Sequence, residues 1–460
     1  MACQIHWHGK GALPSPLTRG YCGSCHAPAA SAYGALGLPV HAYRDFLTES
    51  DLDEARQLGR EMDAADIRTF SLDGINVGEH AYAGALRFFA RGDLQGERRG
   101  EKVLRDYLEA AILTARMAER LLAEHHFDVV VLHHGIYVPQ GIVRDVCHKM
   151  GVRTVNWNPS YRSRTFIFSH DDTYHKTMIS EPVNAWRNIP WDEEKQTRLD
   201  AYLYSRRFGK EDWIWFHGRP SFDLDAAVRE LGLDPSLPTT GLLTSVMWDA
   251  VLHYKDMAFP DMISWVVETV DFFAGRPDRQ LVIRIHPAEA TGTIPSRQRV
   301  DEALRRRFSK LPGNVILVPP EKAISTYSLM DICDQVLIYN TKTGIEMAAQ
   351  GKPVLVAGDA WVRGKGFVRE ASSREEYLSE LEAVLADRSL DAESLALARK
   401  YAYHFFFRRM IRLNLFEPTN CIRQYRPTIR SLEDLRPGAD LGLDLVCNGI
   451  LENVPFVADD

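Results

Sequence analysis

Two clusters of polar residues stand where predicted β-strands end, and the first of them is "RIHPAE". Arg284 and His286 close an apolar, β-branched run, followed by Pro287 and Glu289. A histidine at such a position can donate a hydrogen bond to a phosphate oxygen, or a proton to a departing phosphate. The alternative is a strand-end histidine that satisfies a loop carbonyl.

The second cluster is "YNTKTGIEMAAQGKPVLVAG", residues 339–358, which is more specific. Its polar residues fall between a strand and a helix that begins near Gly344, and helix N-termini attract phosphate groups. Glu346 could accept hydrogen bonds from a ribose diol, or be the acidic first-turn residue that helix caps favour. Lys342 could offset phosphate charge or be a solvated loop lysine. The remaining candidates for phosphate contact are Asn340, Thr341 and Thr343, and either threonine could also be a simple N-cap.

Alternating helices and strands must position these residues. The stretch 101–127 has apolar residues at helical spacing, and "DVVVLHHG" follows it as a strand. Beyond residue 240 the alternation restarts with "GLLTSV", "QLVIRIHP", "NVILVPP", "DQVLIYN" and "KPVLVAG". This order predicts an α/β fold with two Rossmann-like domains facing a cleft, crossed by C-terminal helices.

The domain bounds follow from this alternation and from a Pro- and Gly-rich break. We predict an irregular N-terminal segment (1–40), a first Rossmann-like domain (41–217), a linker (218–240), a second Rossmann-like domain (241–400) and a helical tail (401–460). The motif "DLD" at 223–225 lies in the linker, where it is predicted to start a helix.

Composition excludes several classes of protein. The chain has 460 residues, 45% of them hydrophobic and 25% charged, and a formal net charge of -7. These values are typical of a globular protein and argue against a nucleic-acid binder. No apolar run is long enough to span a bilayer, and the N-terminus does not resemble a secretory signal. We therefore expect a cytoplasmic protein.

The stretch "YCGSCHAP" has the spacing of a haem attachment site, and its Cys22, Cys25 and His26 are also possible zinc ligands. Seven scattered cysteines fit a reducing compartment better than a disulfide framework. A structural zinc module normally has two pairs of ligands separated by a small hydrophobic core, and this segment is instead rich in Gly, Pro and Ala. We favour an irregular start to the first domain over either metal site.

The run "YNTKTGIEMAAQGKPVLVAGDAWVRGKGF", together with "IRIHP", "LTSVMWDA", "HHGIYVPQG", "YRSRTFIFSHDDTYH" and "KYAYHFFFRRM", resembles the capsule-polysaccharide-synthesis glycosyltransferases. The resemblance spans roughly residues 70–415. It implies the two-domain GT-B architecture, with the nucleotide-sugar donor held mainly by the C-terminal half.

The resemblance assigns donor-side roles. His286 would contact the donor phosphates and stabilise the leaving nucleotide, and Glu346 would hold the ribose. Ser245, Trp248 and Asp249 would line the base or sugar pocket. The predicted phosphate contacts are Thr341, Thr343 and Gly344, with Lys342 as a further cation. No D-x-D pair follows a strand, so we expect transfer without a metal cofactor.

The acceptor-side residues are less clearly ranked. His134, which follows a strand with His133 and Gly135, could be a general base or a loop residue that shapes the cleft. Asp171 and Asp172 could be a base, bind sugar hydroxyls or form a solvated turn. Further candidates for sugar contact are Trp157, Tyr161, Arg162, His170, Tyr174 and His175. A retaining enzyme would need no base at all.

The residues leave three functions open. The first is a glycosyltransferase that acts on a surface polysaccharide or glycolipid, with an acidic sugar carried on CMP as one possible donor, because the histidine–proline element resembles that of CMP-sugar transferases. The second is a nucleotide-sugar epimerase or hydrolase of the same fold, and the third is a non-enzymatic metal-binding module. Partners would be a nucleotide sugar, the acceptor and, as an alternative, a polysaccharide-assembly complex.

The tail segment "HFFFRRMIRL" has two interpretations. Its mixture of aromatic residues and arginines is compatible with a helix on an anionic membrane surface, which would place the protein at the cytoplasmic face of the inner membrane. We favour an apolar helix face that closes the core, with arginines directed outward.

Overall fold

A computed structural model describes residues 27–28, 30–212, 221–254, 257–292, 294–419 and 425–459. The chain divides into two compact units, Met1–Val155 and Asn156–Asp460. The sequence places its linker at 218–240, part of which lies outside the described residues, and the predicted domain bounds stay predictions.

Unit 1 is mainly helical. The long amphipathic helix predicted at 101–127 is observed one residue earlier at its start, and it buries Val103, Leu108 and Ala115 against its neighbours. The elements of unit 1 are the helices α1 (Glu49–Glu61), α2 (Ala64–Ile67), α3 (Val77–Phe89), α4 (Gly100–Glu124) and α5 (Gln140–Lys149), the strand β1 (Val129–His133) and the beginning of strand β2 (Arg153–Pro159).

Unit 2 begins inside β2 and continues through β3 (Thr165–His170), α6 (Tyr174–Ser180), α7 (Glu193–Ser205) and α8 (Leu224–Leu231). The "DLD" motif starts α8 as predicted, since the Asp223 carboxylate accepts a hydrogen bond from the Ala226 amide at 2.9 Å. Gly232, with φ +66°, ends that helix in the left-handed conformation that glycine adopts without strain.

A six-stranded parallel sheet forms the centre of unit 2. Its strands are β4 (Thr239–Leu243), β5 (Gln280–Arg284), β6 (Val315–Val318), β7 (Gln335–Ile338), β8 (Val354–Val356) and β9 (Arg369–Glu370), and their order is β6-β5-β4-β7-β8-β9. Numbered along this sheet, that is 3-2-1-4-5-6, the order of a dinucleotide-binding Rossmann sheet. The α/β class predicted from the sequence is confirmed.

Helices cover this sheet, and its central strands are mostly apolar because both faces are buried, whereas the edge strand β9 consists of Arg369 and Glu370. The helices are α9 (Met262–Ala274), α10 (Ala288–Thr291), α11 (Val300–Arg307), α12 (Thr326–Ile332), α13 (Thr343–Ala349), α14 (Arg374–Val384) and α15 (Ala392–Tyr403).

The C-terminal stretch differs from the helical tail that was predicted. α15 passes into a π-helical turn (His404–Arg409), which is followed by the short strand β10 (Ile411–Arg412). β10 pairs antiparallel with β3, with Ile411 opposite Phe166. The remaining elements are the hairpin β11 (Phe416–Pro418) and β12 (Tyr425–Pro427), and the helix α16 (Leu441–Glu452).

Candidate functional site

The register of the parallel sheet brings three predicted site loops to one edge. Leu243, the last residue of β4, is level with Arg284 of β5 on one side and with Ile338 of β7 on the other. The loops that begin at residues 244, 285 and 339 therefore leave the sheet together. Ligands of open α/β sheets bind where the strand order reverses, which here is between β4 and β7. We call this region the β4–β7 crevice.

Hydrogen bonds join these three loops. The Ser245 hydroxyl donates to the Asn340 side-chain oxygen, which ties the loop after β4 to the loop after β7. The His286 amide donates to the Thr244 hydroxyl at 3.0 Å, which ties the loop after β5 to the loop after β4. Residues predicted from separate parts of the sequence are thus assembled at one place.

His286 has a defined tautomer. Its Nδ1 accepts a hydrogen bond from the Ala288 amide at 3.1 Å. In the neutral ring the proton therefore resides on Nε2, which makes that atom a hydrogen-bond donor. This is the tautomer that contact with a phosphate oxygen requires.

The segment after β7 begins α13, a helix of seven residues. The Thr341 hydroxyl lies 3.2 Å from the Thr343 hydroxyl and accepts a long, 3.4 Å hydrogen bond from the Thr343 amide. The N-cap of α13 is Lys342, so neither threonine is the N-cap that was considered as an alternative. Gly344 is buried, and a Cβ atom there would lie 2.5 Å from Ile338 Cδ1. Close packing of α13 on β7 thus accounts for this glycine.

Lys342 and Glu346 form a buried ion pair one helical turn apart. The Glu346 carboxylate is completely buried and also pairs with Arg206, whose Nη2 lies 3.3 Å away. Although burial opposes the shift, Arg206 and Lys342 lower the pKa of Glu346 to about 2. Lys342 is therefore not a solvated loop residue, and the Glu346 carboxylate is already paired with two cations of this chain. Its predicted contact with a ribose remains a prediction.

Acceptor-side candidates lie against this pair within unit 2. The Lys342 ammonium sits 4.6 Å from the centre of the Tyr161 ring, a cation–π contact. Tyr161 and Tyr174 are hydrogen-bonded, and burial raises the pKa of both phenols. His175 Nδ1 lies 2.9 Å from the Tyr254 hydroxyl. Aromatic rings and hydroxyl groups therefore extend from Lys342, a combination that sugar rings contact well.

Other acceptor-side candidates have structural partners. The Arg162 guanidinium is buried and donates to the Phe406 carbonyl at 2.9 Å. His170 stacks on Phe456 and contacts the Val454 carbonyl at 2.8 Å. Asp172 accepts a hydrogen bond from the Thr173 amide at 2.7 Å, at the start of α6. Trp157 packs edge-on against Phe166.

Two backbone positions stand out among the candidate bases. Asp171 is exposed, and its φ is +57°, a left-handed conformation that costs energy in a residue other than glycine. His134 in unit 1 likewise has a φ of +73°, in the turn that follows His133, the last residue of β1, and that also contains Gly135. Strained backbone of this kind is frequent at functional sites.

Two donor-side candidates are enclosed by protein. Arg284 is buried, and its guanidinium donates to the Pro319 carbonyl at 2.7 Å and the Ile324 carbonyl at 3.3 Å. Burial lowers its pKa to about 10. The indole N–H of Trp248 donates to the Ser296 hydroxyl at 3.0 Å, whereas Asp249 is exposed. These contacts indicate that Arg284 and Trp248 shape the loops after β5 and β4.

Sequence analysis missed Arg206, Asp212 and Tyr327, which surround Glu346. Arg206 is the C-cap of α7 and pairs with Asp212, and the Tyr327 hydroxyl hydrogen-bonds to Glu346. The segment "YSRRFG" offered a weak signal, because a helix-end arginine beside apolar residues is typical of surface helices as well.

The possible zinc ligands Cys22, Cys25 and His26 lie outside the described residues. Elsewhere in the chain, the described residues contain no group of three or more histidine, cysteine or acidic side chains placed to hold a metal ion. None of the described helices is long and apolar enough to cross a membrane.

Residues 261–402 match the family model described as "Capsule polysaccharide biosynthesis protein". The match runs from the start of α9 to within one residue of the end of α15, and it includes the loops after β5 and β7. It confirms the resemblance to capsule-polysaccharide-synthesis proteins predicted from the sequence. No curated protein sequence matches the chain.

Solved structures with weak similarity to this chain include the β-Kdo 2,4 transferase of KpsC from Thermosulfurimonas dismutans. The two share 14% sequence identity, with a TM-score of 0.39, over 59% of this chain and 79% of that chain. The UDP-GlcNAc 2-epimerase from Neisseria meningitidis, bound to UDP-GlcNAc, is 13% identical, with a TM-score of 0.28, over 64% of this chain and 80% of that one. MnaA from S. aureus in complex with UDP is 11% identical, with a TM-score of 0.30, over 74% of this chain and 91% of that chain.

Proposed function

We propose that the β4–β7 crevice binds the nucleotide-sugar donor and that the chain transfers the sugar to a surface polysaccharide or glycolipid. The proposal rests on the level strand ends, which bring Ser245, His286, Asn340 and Lys342 to one edge of the sheet. An acidic sugar carried on CMP is the donor that we favour, because of the histidine–proline element at 286–287.

His286 and Lys342 would stabilise the leaving nucleotide. Cleavage of a sugar–phosphate bond leaves negative charge on the phosphate, and fixed donors and cations stabilise that charge in a partly dry site. The Nε2 proton of His286 and the Lys342 ammonium have the required character. We propose that they allow transfer without a metal cofactor, so activity is expected to survive EDTA.

Thermal unfolding in the presence of CMP, UDP, GDP or dTDP tests the donor site. A nucleotide that binds only the folded state at 100 times its Kd adds about 2.7 kcal/mol of stability. We expect one nucleotide to raise the Tm of the wild type and to raise it less for His286→Ala. His126→Ala is the control, because His126 is exposed and its ring contacts the nearby Asp128.

Absence of any shift with all four nucleotides would overturn the donor site. Product analysis then separates transfer from epimerisation or hydrolysis. A transferase consumes the donor in step with a new glycoside and depends on acceptor, whereas an epimerase interconverts the free nucleotide sugar. The acceptor-side base, His134 or one of Asp171 and Asp172, and peripheral contact with a membrane or an assembly complex remain predictions.

A further inference from the structure

Four alternating charges form a chain that ends at Lys342. Asp212 pairs with Arg206, Arg206 pairs with Glu346, and Glu346 pairs with Lys342. We call this set the ion chain. Asp212 also accepts a hydrogen bond from the Tyr202 hydroxyl at 2.9 Å, and Glu346 accepts one from Tyr327. Two positive and two negative groups balance, so the chain is neutral.

The members of this chain differ in exposure. Glu346 is completely buried, whereas Lys342 at the end of the chain remains partly exposed beside the Tyr161 ring. A lysine side chain has four rotatable bonds and no fixed direction of its own. The contacts with Glu346 and with the Tyr161 ring therefore define the position of the ammonium group.

The ion chain also determines the protonation state of Lys342. Burial, and then the nearby Arg206, lower the pKa of Lys342, whereas Glu346 opposes this shift. The titratable groups that face the lysine are Glu346, Arg206, Asp212 and Tyr161. Of these, Glu346 is the one that makes direct contact with the ammonium and favours its charged form.

We propose that Glu346, Arg206 and Asp212 are positioning residues that direct Lys342 at the phosphate of the donor, and that Glu346 also favours the charged form of its ammonium. Glu346 contacts the ammonium, Arg206 keeps the carboxylate in place, and Asp212 balances Arg206. The inference rests on the proposed function, in which Lys342 binds that phosphate. It gives Glu346 a role different from the ribose contact predicted from the sequence.

Isothermal titration with CMP, UDP, GDP and dTDP, and with the matching nucleosides, tests the inference. We expect Arg206→Gln to weaken binding of the preferred nucleotide about tenfold or more. Without Arg206 the Glu346 carboxylate is no longer held in place, and Lys342 loses its charge-assisted contact with the phosphate. The affinity for the nucleoside, which has no phosphate, stays unchanged. Lys342→Met is expected to show the same difference.

Arg207→Gln is the matched control. Arg207 is adjacent in sequence and pairs with Asp331 at the surface, outside the ion chain. It is expected to bind like the wild type. Arg206→Lys retains a positive charge near Glu346 and is expected to recover part of the lost affinity, which a purely structural role would not predict.

A pH profile gives an independent test. Without the carboxylate in Glu346→Gln, the pKa of Lys342 moves further down, and the ammonium loses its proton as pH rises. Nucleotide affinity of this variant is therefore expected to fall as pH rises, and to begin to fall at a lower pH than the affinity of the wild type. Asp212→Asn, at the far end of the chain, replaces Arg206→Gln if that variant does not fold.

The two proposals fail in different ways. If the wild type binds no nucleotide, the donor site itself is overturned. If the wild type binds a nucleotide and the folded ion-chain variants bind it equally well at every pH, the donor site stands and the positioning role is overturned. A loss that affects nucleoside and nucleotide equally also contradicts the positioning role, because it would come from general disruption of the crevice.

Discussion

Single residues near the crevice have environments that their position in the sequence does not reveal. Glu289, three residues after His286, is 1% exposed, and its Oε2 accepts a hydrogen bond from the Val300 amide at 3.3 Å. Within the described residues its Oε1 has no hydrogen-bond partner. Burial raises the pKa of Glu289 to about 8, with Asp301 and Glu321 adding to the shift and Arg299 opposing it.

Glu289→Gln is expected to change how stability depends on pH. The carboxyl of the unfolded chain ionises near pH 4.3, whereas the folded one keeps its proton to about pH 8. The folded state therefore binds more protons between these values, and wild-type stability falls as pH rises through this window. The amide variant should lack this loss and gain up to about 4 kcal/mol over the wild type by pH 8.

Urea denaturation at pH 5, 6.5 and 8 measures this difference. Glu302→Gln serves as the control, because Glu302 lies at the surface of α11 and should leave the pH dependence unchanged. Equal pH dependence in the wild type and Glu289→Gln would mean that Glu289 is ionised in the folded protein.

At the scale of elements, the crevice depends on close approach between neighbouring strands. Gly358 follows β8, and its amide donates to the Tyr339 carbonyl at 3.1 Å. A Cβ atom at this glycine would lie 2.7 Å from that carbonyl oxygen and 3.0 Å from its carbon. Since Tyr339 directly precedes Asn340, the packing at Gly358 supports the loop that carries the donor-side residues.

Gly358→Ala is expected to lower the free energy of unfolding by about 1–3 kcal/mol, because backbone atoms must move to admit the methyl group. The displacement should also weaken binding of the nucleotide identified by thermal shift. Gly313→Ala is the control, since a Cβ atom there meets nothing within 4 Å. Urea denaturation measures the free energy of unfolding of both variants. If the two values are equal, the loops after β7 and β8 can move apart without a loss of stability.

At the scale of the whole molecule, the C-terminal aromatic segment completes the core of unit 2. Phe405 and Phe406 are completely buried, and Met410 and Ile411 nearly so. Arg409, which we expected to point outward, is buried and donates to the Phe456 carbonyl at 3.2 Å. These positions agree with the interpretation as core rather than as a membrane-binding face.

Phe406→Ala is therefore expected to lower the free energy of unfolding by about 3–5 kcal/mol, the usual cost of a large cavity. Tyr204→Ala is the control, because Tyr204 is an exposed aromatic residue in the same unit. Urea denaturation measures both variants. A change of less than 1 kcal/mol in Phe406→Ala would contradict the packing described for this segment.

The sequence alone determined the α/β class, most strands of the parallel sheet and the loops that carry the donor-side residues. Helical and strand periodicity are local properties, and the ends of parallel strands lie at one edge of a sheet whatever their detailed packing. The "RIHPAE" and "YNTKTG" loops could therefore be assigned to one site from their residues and their places after strands. The end of the tail helix was less predictable, because the change to a π-helical turn and then to β10 depends on pairing with β3.

Only the tertiary structure decided which of these side chains are buried. Arg284 and Glu346 stand where ligand contacts are expected, yet both are enclosed by partners distant in the chain. Arg206 precedes Glu346 by 140 residues, and the Ile324 carbonyl follows Arg284 by 40. A buried charge is stable only when such partners surround it, and these partners cannot be identified from the residues next to it in the sequence. The role of Lys342 as the end of an ion chain follows from that packing.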